Sequence, residues 1–196
     1  MKKINKTKTN ISNLFKLVAL SALFISLFSM CASISKASDI TPDNLGNLVN
    51  NERVERGLIP LKINDQLDNA ASEKSRDMLN RNYFEHFAFG LTPWDFIVKA
   101  GYNYLYAGEN LAMDFNTAEG TVNAWMDSPA HRKNILNPDF SDMGMGVIKG
   151  EYSDGTGVSK ETIVVTNMFG REKPTVLRVI DTVIKQISDL RIVKIF

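Results

Sequence analysis

The chain of 196 residues holds one cysteine, Cys31, and it lies inside an apolar N-terminal stretch. This position limits the possible folds more than any other single feature. Residues 1–16 carry Lys2, Lys3, Lys6, Lys8 and Lys16 and no acid, and residues 17–34 are almost wholly apolar. Ser35-Lys36-Ala37 then places small residues three and one before a cut ahead of Ser38. A positive end, an apolar stretch and a small-x-small site make a secretory signal. About 18 apolar residues also suffice to cross a bilayer, so residues 17–34 are read either as a cleaved signal or as a retained membrane anchor. Met30 stands before Cys31, where a lipoprotein signal wants a small residue. On either reading the chain works outside the cytoplasm, secreted or held at the cell surface. Beyond the leader it is free of cysteine, so no disulfide can staple it and a hydrophobic core must hold it together. About 135 residues, 38–172, are enough for one such domain. The organisation expected is a signal peptide or anchor at 1–37, a domain at 38–172 and a tail at 173–196.

The formal charge is +1, and much of the positive charge sits in the leader. No basic stripe interleaves with aromatics, so nucleic acid is not an expected partner. Thr41-Pro42-Asp43 signals a helix start, with a capping hydroxyl, proline in the first turn and an acid at the positive dipole end. That helix should stop at Gly57. Asn64-Asp65 starts a second helix, whose Leu67, Ala70, Ala71, Lys74 and Met78 share one side, with Lys74 at its edge. Thr92-Pro93-Trp94-Asp95 reads as a capping box ended by Gly101. A fourth helix begins near Asn116 or Thr117 and carries Val122, Trp125 and Met126. Ser128-Pro129 stops it and caps a short fifth helix through Leu136. Residues 104–113 have a strand flavour interrupted by Gly108-Glu109-Asn110. Residues 143–152 and 162–169 read as a hairpin around Asp154-Gly155-Thr156-Gly157. Helices in front and a hairpin behind suggest an α+β fold.

Three segments concentrate the unusual residues: His86-Phe87, then Gly108-Glu109-Asn110-Leu111-Ala112, then the run from Trp125 through Ser128-Pro129, His131-Arg132 and Asn134-Ile135-Leu136. With Met143-Gly144-Met145-Gly146 and Thr166-Asn167-Met168-Phe169-Gly170 behind them, they resemble the CAP superfamily (cysteine-rich secretory proteins, antigen 5 and pathogenesis-related 1). The resemblance is greatest to its cysteine-free bacterial SCP-domain members. It covers about residues 45–170, and the ordered set of motifs is far more specific than any one of them. It implies a three-layer α-β-α sandwich around a mainly antiparallel sheet. It also implies a cleft lined by two histidines and two glutamates. His86 and His131 match the histidines and Glu109 matches one glutamate. The other glutamate position, three residues after the motif tryptophan, is Ser128 here.

Two imidazoles and a carboxylate are ordinary ligands for zinc or another divalent metal, and three protein ligands leave a fourth place for water. His86, Glu109 and His131 are thus the candidate metal set. The alternative without metal makes Glu109 or a histidine a general base on water. No serine or cysteine nucleophile has the partners it needs. Structural readings stand beside these. Ser128 suits an N-cap, His131 a hydrogen bond to a carbonyl, and Glu109 with Asn110 a tie between loop and sheet. Asn134 suits backbone groups at the helix end. Trp125, Phe87, Phe169 and Ile135 are core candidates. The cleft and binding candidates are therefore His86, Glu109, His131, Ser128 and Asn110. Tyr102, Tyr104, Tyr106 and Met113 suit either packing or an apolar ligand. The missing second carboxylate favours an extracellular or cell-envelope binding module, with a lipid or a protein as ligand, over a metal-dependent hydrolase.

After Pro174, Val176, Ile180, Val183, Ile187 and Leu190 recur at alternating spacings of four and three. That is an amphipathic helix with a short coiled-coil pattern. Its charges are too many for a spanning helix. It suits packing on the domain, pairing with a copy of itself in a structural envelope protein, or lying on a membrane.

Overall fold

The computed structural model describes residues 37–153 and 155–193, so the expected signal or anchor falls, apart from Ala37, outside the described residues. Helix α1 is Pro42–Val54, with Thr41 as its N-cap accepting from the Asn44 amide. The chain then turns at Gly57, whose φ of 74° suits glycine. Strand β1, Lys62–Ile63, leads into helix α2, Asp65–Asn80, whose first amides are taken by the Asn64 side chain. Helix α3 is Pro93–Lys99, and the Asp95 carboxylate accepts from both the amide and the hydroxyl of Thr92. Strand β2 is Tyr104–Met113, helix α4 Ala118–Asp127 and helix α5 Pro129–Ile135. Strands β3, Asp142–Ser153, and β4, Ser159–Glu172, form a hairpin, and helix α6 is Thr175–Val193.

The four strands lie in the order β1-β3-β4-β2. Only β1 and β3 run parallel; the other two pairs are antiparallel. Consecutive strand residues face opposite sides of a sheet. Met168 joins Leu67, Ala70, Ala71, Phe96 and Ile97 in one core, under α2 and α3. Phe169 joins Leu45, Val49, Val122, Trp125 and Ile135 in the other, under α1, α4 and α5. A helical layer therefore covers each face, and the fold is the three-layer α+β sandwich.

The Met143-Gly144-Met145-Gly146 run shows how the layers meet. Met143 and Met145 are buried in the α1, α4 and α5 core. The two glycines face α2. A Cβ on Gly144 would lie 2.1 Å from the backbone carbon of Leu67, and one on Gly146 2.3 Å from that of Ala71. Helix and strand touch backbone to backbone, which no other residue permits. Gly108 has a related role. The expected interruption of β2 does not occur, because this strand is continuous and Gly108 makes room for the Phe140 ring, 2.8 Å from where its Cβ would be. Sequence patterning also misses β1, which is too short to show a period.

The expected tail helix exists as α6, and its Val176, Ile180, Val183 and Ile187 are exposed. The side chain of Leu190, the last seam residue expected, is outside the described ones. Among the described residues no helix is long and apolar enough to cross a membrane.

Gly144→Ala tests the layered contact. Because the colliding atoms are backbone, the substitution should cost about 3 kcal/mol or more, the upper end for overpacking. Urea unfolding measures it, and a loss under about 1 kcal/mol would show that α2 can slide away.

Candidate functional site

The site is built where α2, the loop after it, β2 and α5 meet. Helix α2 carries Lys74 on its buried side, fully inaccessible to solvent at 0%. Sequence periodicity puts this lysine at the edge of the helix face; the structure corrects that. Its Nζ donates to the Tyr83 hydroxyl at 3.2 Å and to the carbonyls of Glu85 and His86 at 2.9 and 3.1 Å. An ammonium has three protons, and these acceptors use all of them. Tyr83 in turn donates to Asp77 Oδ2 at 2.5 Å. The ammonium also lies over the rings of Tyr83 and Phe96.

Lys74 thus holds the loop that presents His86. The loop closes through paired hydrogen bonds between Ala88 and Leu91, around Phe89 and Gly90 at positive φ. Phe89 is held in that unusual conformation by an edge contact with Tyr83 and by the Arg81 guanidinium 3.8 Å from its ring centre. Phe87, expected in the core, is instead exposed. Its backbone neighbours turn their carbonyls inward to Lys74, and its side chain lines the cleft.

His86 Nδ1 meets Glu109 Oε1 at 2.6 Å. The histidine side chain is 45% exposed and the glutamate side chain only 2%. One proton lies between them, carried by Nδ1 when Glu109 is ionised and by Oε1 when it is not. Burial pushes the Glu109 carboxyl upward from the usual range, against the opposing pull of the His86 hydrogen bond and of the Lys74 and His86 charges. The second oxygen, Oε2, is buried and has no hydrogen-bond partner among the described residues. Buried carboxylate oxygens are normally satisfied, so this one marks an acceptor in waiting. Burial likewise lowers the ammonium pKa of Lys74, with Glu109, Asp77 and Glu85 opposing.

His131 stands at the third residue of α5. Burial holds its imidazole below the ordinary histidine range, and the charge of His86 adds to this. Its backbone carbonyl accepts from Asn110 Nδ2 at 3.1 Å. Asn134 Nδ2 donates to the Glu109 carbonyl and to Asn110 Oδ1. Asn110, at 0% exposure, is therefore a tie between β2 and α5, beneath the cleft surface. Ser128 is the N-cap by its backbone, since its carbonyl accepts from the Arg132 amide, but its side chain makes no capping bond. At the other end of α5, the buried Arg53 donates to the Ile135 and Asn137 carbonyls, as a cation suits a helix C-terminus. Tyr102 is a core residue, wholly buried with its hydroxyl on Asp142. Tyr106 is exposed, and Tyr104 lies against Trp94.

Above the pair opens a cleft of about 290 Å³, lined by His86, Phe87, Pro93, Trp94, Glu109 and Asn134 among others. Of the metal set expected from His86, Glu109 and His131, the structure joins His86 and Glu109 directly. Two ligands on a tetrahedral zinc stand about 3.3 Å apart with the ion between them, whereas His86 and Glu109 point at each other within a hydrogen bond. Among the described residues, no group of three or more His, Cys, Asp and Glu side chains is placed to hold a metal ion.

The pH dependence of stability follows from Glu109. A carboxyl whose folded pKa is raised contributes stability that is complete below its unfolded value, near 4.5, and is lost as pH rises through the folded value. Glu109→Gln does not titrate. The stability of this variant relative to wild type should therefore rise with pH from below 4.5 toward neutrality, measured by urea unfolding across that range. A pH-independent difference would mean that Lys74 and His86 fully offset the burial.

The sequence profile of the cysteine-rich secretory protein family, CAP, matches residues 47–168. The chain is 45% identical over 104 residues to the uncharacterized protein YkwD of Bacillus subtilis, a match covering 52% of this chain and 40% of that protein. It is 32% identical over 109 residues to the uncharacterized membrane protein YlbC of the same organism, covering 55% of this chain and 31% of that one. The chain thus spans well under half the length of these relatives. Among solved structures, an extracellular protein containing an SCP domain from Bacillus anthracis superposes with a TM-score of 0.57 at 28% identity, over 67% of this chain and 40% of that one. An outer surface protein of Borrelia burgdorferi gives 0.57 at 24% identity over 70% of this chain and all of that one, and so shares the fold. With its profile match, its ordered motifs and its three-layer sandwich, this chain belongs to the cysteine-rich secretory protein (CAP) family.

Proposed function

We propose that the chain is an extracellular binding module whose ligand sits in the cleft above Glu109 and His86. The observation that carries this reading is the orphaned Glu109 Oε2, buried beneath an open cleft with an imidazole and aromatic rings at its rim. The complementary ligand has an N–H donor or a cation on an apolar or aromatic body. Its donor would meet the Glu109 carboxylate where the exposed His86 ring gives way, and its body would lie against Phe87 and Trp94. The N-terminal signal pattern and the extracellular SCP-domain protein of B. anthracis support work outside the cytoplasm, secreted or at the cell surface.

A second reading uses the same pair. Glu109, buried and bonded to Nδ1, orients His86 as a carboxylate orients a general base, and His86 is exposed enough to meet water. Binding ranks first because the site has no nucleophile and no second carboxylate: the chain beyond the leader lacks cysteine, and Ser128 stands where the family's other glutamate would be.

Trp94 lines the cleft, so its fluorescence reports occupancy. A panel of aromatic and aliphatic amines and amides should yield probes that quench or shift it and compete with one another. Glu109→Gln should weaken them at least about tenfold, the scale of one charged hydrogen bond. Zinc should show no stoichiometric uptake. Turnover of peptide or ester substrates that disappears on His131→Ala would contradict the binding reading, and zinc uptake lost on His86→Ala would contradict the site geometry.

A further inference from the structure

The amphipathic helix α6 has no use in the cleft. Val176, Ile180, Val183 and Ile187 repeat at spacings of four, three and four, which is the seam of a heptad. Leu177, Val179 and Ile184 flank that seam, so at about 100° per residue the apolar arc spans about 160°. All seven side chains are 40–69% exposed. The opposite arc holds Arg178, Asp181, Lys185 and Asp189.

We infer that α6 is an assembly helix, through which three or more copies of this chain pack their α6 helices into a bundle. Three observations select this occupant. First, the polar side of the helix contacts the chain just before it: Lys173 pairs with Asp181 at 2.8 Å, and Arg178 lies 3.9 Å from Glu172 at the end of β4. The apolar arc has no cover from the described residues of the chain's own domain. Second, α6 carries three cations, Arg178, Lys185 and Arg191, against two anions, Asp181 and Asp189, a net charge of only +1. A helix lying on an anionic membrane has a polar face rich in Lys and Arg, so α6 lacks what would draw it there. Third, Leu177, Val179 and Ile184 put apolar residues on the flanks of the seam, where a two-stranded coil carries charges. Apolar flanks widen the face to be covered and so favour three or four strands over two. The 160° arc has the same implication, because a two-stranded seam needs only a narrow stripe.

The inference is independent of the cleft ligand. Its consequence is that several clefts would be carried on one particle, so weak single contacts with a repetitive surface would add as avidity.

Sedimentation velocity on the exported chain tests it, beside the double variant Ile180→Asp/Val183→Asp and the polar-face control Lys185→Gln. Because the substituted side chains are exposed and remote from both cores, the thermal midpoint of the domain should not change. The expected result is a trimer or larger species for the wild type and for Lys185→Gln, insensitive to salt, and a monomer for the double variant. A wild-type monomer or dimer at the highest attainable concentration overturns the inference, as does assembly that survives in the double variant. A monomer that floats with phosphatidylglycerol vesicles also overturns it, in favour of the membrane.

Discussion

Lys74 places an ammonium group under the loop that carries His86, with no access to water. Removing a charge from water is costly unless it is paired and fully hydrogen-bonded. Here three acceptors complete its shell, and Glu109, Asp77 and Glu85 surround it with opposite charge. Two of those acceptors are consecutive backbone carbonyls, so satisfying the lysine fixes the course of the chain at Glu85 and His86. The His86 imidazole then meets Glu109, and Phe87 turns to the outside. Because Lys74 has no proton left over, Glu109 Oε2 receives none from it. The orphaned acceptor is thus a consequence of how the loop is held.

The other side of the cleft is set by a second group of polar ties. Asn110 and Asn134 bind each other, and together they donate to the carbonyls of His131 and Glu109. Strand β2 and helix α5 are locked in register, which brings His131 near enough to His86 for their charges to interact. Beneath, Gly144 and Gly146 let α2 sit on the sheet backbone and so bring Lys74 within reach of the loop. Site and scaffold share parts: the glycine contact places α2, α2 places Lys74, and Lys74 places His86.

Much of this was legible in the sequence. The caps at Thr41, Asn64 and Thr92, the β3–β4 hairpin and the amphipathic α6 all follow from local chemistry, which a single sequence displays. The resemblance also pointed to His86, Glu109 and His131, of which the structure joins His86 and Glu109 by a hydrogen bond. What stayed hidden depends on distant partners. Gly108 reads as a strand break until the Phe140 ring is seen against it. Phe87 reads as core until its neighbours' carbonyls are seen to turn inward. Asn110 reads as a cleft residue, although its buried amide serves α5. Lys74 left a signal that edge placement discounted: a lysine at i+3 and i+4 from Ala71 and Ala70, on an otherwise apolar face, is either misassigned or buried with a purpose.

Hydrogen exchange across residues 83–91 in Lys74→Met tests most directly whether one buried cation organises the site. Methionine keeps the length and the apolar packing of the side chain and removes the three donated hydrogen bonds. The account predicts a folded domain whose β2, β3 and β4 amides exchange as in the wild type, while the amides of Ala88, Leu91 and their neighbours exchange at least about tenfold faster. Unchanged protection of that loop in a folded Lys74→Met variant would contradict it, since the His86–Glu109 pair would then stand without the lysine.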